Sequence, residues 1–329
     1  MMRVTMTKLF AATAALLLGL SISASAQTLT KWRHCLVSAK GDAGIYFMAI
    51  EKGFFKNHGL DVEYIELRGD ADVVRALLAD QCDSAEGSPG PDLVAIDRGA
   101  PIKFIGSSMI GYPYALYVSK NINSWEDLKG KTLGTSAPGA TPELIAREMI
   151  RRKGVDPNSL QIANAGGTSG RIKALAGGKI DATAASTEYV PEQEKLGIKV
   201  LGLAHDIVPE WPRFLIGVQQ KTLAARRDDI VKFMAGYIEG LNYAMNHRDE
   251  TIALGSKVTK IAATEPIFAA VFDEAKKGNY VSPTAEIPTE KLKWLAGVLL
   301  DAKKLTKAAD IPSYIDETVR ADALKLVKK

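Results

Sequence analysis

Gly41-Asp42-Ala43-Gly44-Ile45-Tyr46-Phe47-Met48-Ala49-Ile50-Glu51-Lys52-Gly53-Phe54-Phe55-Lys56-Asn57-His58-Gly59-Leu60-Asp61-Val62-Glu63 holds a strand exit, a helix, a helix stop and a second strand in one run. Ile45, Met48, Ala49 and Phe55 recur at helical spacing and predict a helix over 43–57. Gly59 is placed to end it, and 60–67 reads as a strand. With 32–38 as a strand in front, the segment is a strand–helix–strand unit, the building block of an α/β domain.

The alternation continues outward from this unit. Gly69-Asp70 opens a helix with Val73, Val74, Leu77 and Leu78 on one side. A short strand at 83–86 leads through Gly87-Ser88-Pro89-Gly90 into a helix at 91–98, and strands follow at 102–107 and 113–119. A second cycle repeats the pattern: a strand at 131–135, a helix opened by Gly139-Ala140-Thr141-Pro142-Glu143, a strand at 160–163 and a helix opened by Gly166-Gly167-Thr168-Ser169. A helix at 188–196 and a strand at 198–203 complete it. After a strand at 214–219 the chain turns helical, at 227–246, 265–277 and 289–303. This order predicts two α/β lobes around a cleft, joined by a two-strand hinge. The first lobe takes 27–115, the second 116–214, and 215–329 returns to the first, with crossings near 112–118 and 212–218. In open α/β sheets ligands sit beyond the carboxyl ends of the strands, so each turn there is a candidate contact.

Residues 1–26 read as a signal peptide: Arg3 and Lys8 come first, then an apolar stretch at 9–22, then Ala24-Ser25-Ala26. The mature, exported chain is expected to begin at Gln27. Residues 1–26 carry two of the net positive charges, out of a formal +4 for all 329 residues. The near-neutral remainder gives no case for nucleic acid or a polybasic membrane contact. Two cysteines and four scattered histidines argue against a structural zinc site, and no cofactor is expected. Export permits a disulfide between Cys35 and Cys82, and two buried free thiols are the equal alternative.

Four turns share one chemistry: 40–44, 86–90, 137–141 and 166–169 each follow a strand and open a helix. Helix N-termini present unpaired N–H groups and partial positive charge, which suit an anion. Any one such turn reads first as an ordinary helix start, and convergence of several on one cleft is what favours binding. None has the Gly-Lys-Ser/Thr of a P-loop or a full dinucleotide fingerprint. Ser88 lacks the spacing of a Gly-x-Ser-x-Gly nucleophile elbow, and no histidine falls on a turn beside it, so no catalytic set emerges. Tyr46, in the first turn of its helix, and Tyr112, at the first crossing with Tyr114, are candidate aromatic contacts.

The stretch 43–63 resembles the first helix and second strand of the nitrate/sulfonate/taurine-type periplasmic substrate-binding proteins of ABC importers. Ser124-Trp125-Glu126-Asp127-Leu128-Lys129-Gly130-Lys131-Thr132-Leu133-Gly134 and Leu175-Ala176-Gly177-Gly178-Lys179-Ile180-Asp181-Ala182 are similar to two further motifs of that family. The resemblance implies a type II periplasmic-binding fold with C-terminal helices, closure around a solute, and delivery to a membrane permease by a monomer that is not an enzyme. It places ligand contacts on Asp42, Ala43, Gly44 and Tyr46, on Ser88 and Pro89, on Gly139, Ala140 and Thr141, on Thr168 and Ser169, and on Glu188. The expected ligand is a small organic acid or sulfonate, with an aromatic heterocycle stacked on Tyr46 or Tyr112, or an enzyme on the same fold, as alternatives. Asp42 and Glu86 lie close to these positions and disfavour a bare anion such as nitrate unless Arg171 or another cation offsets them.

Overall fold

The computed structural model describes residues 28–38, 40–136, 140–262 and 265–327. The expected signal peptide, Gln27 and Gly139 lie outside these residues.

The ten strands are β1 (Thr30–Val37), β2 (Leu60–Leu67), β3 (Ser84–Gly87), β4 (Ile102–Met109), β5 (Tyr114–Ser119), β6 (Thr132–Thr135), β7 (Gln161–Asn164), β8 (Ala182–Ser186), β9 (Ile198–Leu203) and β10 (Phe214–Gln219). They form two five-stranded sheets, ordered β2-β1-β3-β10-β4 and β7-β6-β8-β5-β9. In each sheet four strands run in one direction, and the strand arriving from the other lobe, β10 or β5, is antiparallel to both neighbours. This is the expected pair of α/β lobes.

The crossings lie earlier in the chain than their expected 112–118 and 212–218. Residues 114–119 and 214–219 are already interior strands, so the chain passes between sheets at 110–113 and 208–213. One side chain ties the two crossings together: Lys291 Nζ donates to the Ile110 carbonyl at 2.8 Å and the Pro209 carbonyl at 2.7 Å.

The expected helix over 43–57 is two helices, Ala43–Glu51 and Phe54–Asn57. Gly53 separates them at φ +72°, a conformation that costs glycine nothing and that a side chain resists. The helix expected at 188–196 is a 3-10 turn, Thr187–Glu192, because Pro191 has no N–H to give an α-helical ladder. The helix Arg248–Thr259 has no clear apolar stripe to announce it, since its buried positions are Thr251, Leu254 and Gly255. By contrast, the helix Arg227–Asn246 buries Ile230, Phe233, Met234, Tyr237, Ile238 and Leu241 almost completely. Phe233 stacks on Trp32 of β1 and on Phe55, with ring centroids 5.6 and 5.3 Å away. Each such side chain contributes about 1.5–3 kcal/mol, which anchors the C-terminal helices to the first lobe.

Cys35 and Cys82 are joined by a disulfide, with Cα atoms 5.7 Å apart. β1 pairs with β3 in parallel, with His34 opposite Ser84, and that pairing brings Cys82, two residues ahead of β3, within reach of Cys35.

Candidate functional site

The carboxyl ends of β1, β2, β3, β6 and β8 converge on a cleft of about 550 Å³ between the sheets. Its walls carry Ser38, Lys40, Gly41, Asp42 and Tyr46 after β1, Arg68 to Asp72 after β2, and Glu86 and Ser88 from β3. The other lobe supplies Tyr114 at the start of β5, Ser136, Ala140, Thr141, Gly167, Thr168, Arg171, Ser186 and Glu188, and the crossings supply Tyr112, Pro113 and Arg213. The helices Asp70–Leu78, Pro89–Asp97, Thr141–Arg152 and Thr168–Ala176 all begin here, and none has a side-chain cap on its first amides.

Of the expected contacts, Asp42, Tyr46, Ser88, Tyr112, Ala140, Thr141, Thr168 and Glu188 line the cleft. Ala43, Gly44, Pro89 and Ser169 do not. Gly44 faces the helix Arg248–Thr259 so closely that an added Cβ would stand 1.8 Å from the Thr251 carbonyl oxygen. Ala43 is fully buried, and the Ser169 hydroxyl meets the Tyr189 hydroxyl at 3.1 Å.

Two arginines dominate the electrostatics. Arg171 is 2% exposed, in the first turns of its helix. Its Nη1 donates to the Gly166 carbonyl at 2.9 Å, its Nη2 to the Ala184 carbonyl at 3.2 Å, and its Nε to Thr183 Oγ1 at 3.2 Å. Nη2 also reaches Thr168 Oγ1 at 3.4 Å. All these acceptors are neutral, and no carboxylate pairs with Arg171 among the described residues. Buried charges are ordinarily paired with an opposite charge, and here neutral acceptors take that place. The helix N-terminus beside it adds partial charge of the same sign.

Arg213 is differently placed. Its Nη2 donates to Asp42 Oδ2 at 2.6 Å, and its guanidinium lies 4.3 Å from the Phe214 ring centre and 5.5 Å from that of Tyr112. Its Nε is buried without a partner. Neither the Arg213 pair nor the role of Arg171 follows from a local motif, because their partners are 171 and up to 13 residues away and are set by the fold.

The acids are held by neighbours. Glu86 accepts from the Ser108 and Tyr237 hydroxyls, with His34 Nε2 3.5 Å away. Asp70 Oδ1 accepts the Ser88 N–H at 2.7 Å, so that amide is already used. Burial pushes the Asp70 carboxyl above its ordinary range, against the Ser88 hydrogen bonds. Burial likewise raises Glu188, with Asp42 adding to it and Lys40 opposing it. Glu188 Oε2 accepts from Gly41 N–H at 3.5 Å across the cleft, so the lobes touch. Tyr46 and Tyr112 are 3% and 4% exposed, Tyr46 tilted against Phe214 and Tyr112 edge-on against Tyr114 and Trp211, which leaves little free ring face for stacking. Neither histidine nor cysteine lines the cleft among the described residues.

A family model described as NMT1/THI5 like matches residues 41–251, and the chain belongs to that family. The taurine-binding periplasmic protein of Escherichia coli (strain K12) is 28% identical over 243 residues, 71% of this chain and 74% of its own length. Among solved structures, the periplasmic aliphatic sulphonate binding protein SsuA from Escherichia coli superposes with TM-score 0.72 at 18% identity, over 87% of this chain and 92% of the other. The periplasmic nitrate-binding protein NrtA from Synechocystis PCC 6803 gives TM-score 0.72 at 12% identity, over 91% and 89%. These likenesses establish the periplasmic-binding fold.

Proposed function

We propose that the protein is the exported solute-binding component of an ABC importer and that it binds a small organic acid, a sulfonate foremost, in the cleft. One observation carries this reading: the buried Arg171 guanidinium, bonded among the described residues to neutral acceptors, at the start of an uncapped helix. A sulfonate or carboxylate there meets a fixed positive charge and free backbone amides. The names of the relatives, taurine and aliphatic sulphonate binders, agree with it.

The opposite wall narrows the class. Asp70, Glu86 and Glu188 face the same cleft, an acidic wall that does not suit a bare anion. An acid whose second end donates hydrogen bonds suits both walls. The locked rings of Tyr46 and Tyr112 speak against a stacked heterocycle. A cleft lined by Ser88 but no histidine offers no activated nucleophile, which supports a binding role over an enzyme.

Binding across the cleft would favour the form in which the lobes touch, and a permease in the inner membrane would recognise that form. The hinge is the pair of crossings at 110–113 and 208–213. The chain acts as a monomer, exported by way of residues 1–26.

The test is a thermal-melt screen of protein unfolded and refolded to strip carried-over solute, against sulfonates, nitrate, carboxylates, aromatic acids and pyrimidines. A ligand at about 100 times its Kd stabilises the fold by roughly 2.7 kcal/mol, enough to move the melt. The reading expects sulfonates or small carboxylates to shift it. A shift by pyrimidines alone would overturn it.

A further inference from the structure

The helix Ile267–Lys277 touches both lobes at the mouth of the cleft. It packs on the helix Arg248–Thr259 of the first lobe and against the turn Thr187–Glu192 of the second. It also crowds the first turn, where a Cβ added to Gly41 would lie 2.9 Å from Val271 Cγ2 and 3.1 Å from the Ile267 carbonyl oxygen.

One polar pair in this contact is incomplete. Glu274 projects from the helix towards His205, which sits on the short helix Ala204–Ile207 of the second lobe. His205 Nδ1 and Glu274 Oε1 are 3.6 Å apart, and both atoms are buried with no hydrogen-bond partner. The other ring nitrogen, Nε2, lies 2.9 Å from Asp206 Oδ1, so in the neutral ring the hydrogen sits on Nε2. That leaves a lone pair on Nδ1 facing a carboxylate oxygen, an arrangement that repels. A single added proton, on either the ring or the carboxyl, turns it into a hydrogen bond.

We propose that Glu274 and His205 are a positioning pair that latches the two lobes together when they take up one proton, so that the protein closes more firmly in acid than in alkali. The surroundings bear on where that proton comes in. Asp206 faces the ring from its own helix, and the Tyr280 ring centre is 5.8 Å away. Around the Glu274 carboxyl stand Thr187 from the turn, Tyr280, Arg213 from the second crossing and Tyr117 from β5. Burial holds that carboxyl above its ordinary range, with the Thr187 hydroxyl and the His205 charge working against it. Retention of solute rests on the function proposed above, whereas lobe closure itself does not.

The experiment is therefore run without ligand. Lys56 and Lys195 are exposed, one on each lobe, and the disulfide leaves no native thiol to label. Spin labels on K56C/K195C protein, refolded free of solute, report the inter-lobe distance by pulsed dipolar spectroscopy. Between about pH 8.5 and pH 5 the ratio of the shorter to the longer population is expected to rise about tenfold, the weight of one charge-assisted hydrogen bond. His205→Gln and Glu274→Gln should each abolish most of that change. The same pH response in the variants, or none in the parent, would overturn the latch. If Glu274→Gln fails to fold, His205→Gln decides, since its side chain is partly exposed. A protein that closes with acid yet binds no sulfonate would overturn the proposed function and leave the latch standing.

Discussion

Arg213 Nη2 donates to Asp42 Oδ2 at 2.6 Å, and this bond joins the second crossing to the first turn of the chain. The two side chains are 11% and 7% exposed, so Asp42 is buried and Arg213 nearly so. It neutralises the acid that most obviously opposed an anionic ligand. Breaking one partner leaves the other charge stranded, at a cost of about 3–5 kcal/mol. Asp42→Ala is expected to lose that much unfolding free energy in urea, and Asp42→Ala/Arg213→Met to recover most of it. A double variant no better than the single would show that the pair is not coupled.

The Cys35–Cys82 bond closes a loop spanning 47 positions. Chain entropy assigns such a closure about 4 kcal/mol, and measured disulfides of this kind give about 2–4. Cys35→Ser/Cys82→Ser should lower the urea midpoint accordingly and leave solute selectivity unchanged. An unchanged midpoint would contradict the bond's structural weight.

Asp92 is buried in the first turn of the helix Pro89–Asp97, and burial, with the charge of Asp70 added, raises its carboxyl well above the ordinary range. The folded form thus holds a proton that the unfolded chain releases. Its contribution to stability is full below the unfolded carboxylate value and is lost as pH rises through the folded one. Asp92→Asn removes the conflict, with an expected gain on the order of 1 kcal/mol near pH 8, or about 2 °C in Tm, shrinking towards pH 4. Melts across that range check it, and a gain that grows as pH falls would contradict the assignment.

The alternation of strand and helix was legible because each element announced itself locally. Leu60–Leu67 and Ile198–Leu203 are strands with the expected bounds, and Arg227–Asn246 is the expected long helix. Local signals failed where tertiary contacts decide. Gly53 cuts one helix in two, and Arg248–Thr259 buries a threonine and a glycine instead of an apolar stripe. In the cleft, the turns at strand ends were readable from their Gly, Ser and Thr. Gly44 looked like one of them but serves close packing against Thr251, a contact between residues far apart in the chain. Arg171 was visible only as a cation near the turns. Its burial comes from β8 folding over it through Thr183 and Ala184, and no acid pairs with it among the described residues.

Isothermal titration of solute-stripped protein with taurine, an alkanesulfonate and the corresponding uncharged alcohol tests the central claim most directly, in the parent and in Arg171→Met and Arg171→Lys. The account predicts that the parent binds at least one of the acids and rejects the alcohol. It also predicts that Arg171→Met loses about a hundredfold in affinity, as expected for a lost charge-assisted hydrogen bond, while Arg171→Lys retains part of it. Unchanged acid binding by folded Arg171→Met, or equal binding of acid and alcohol by the parent, would contradict it.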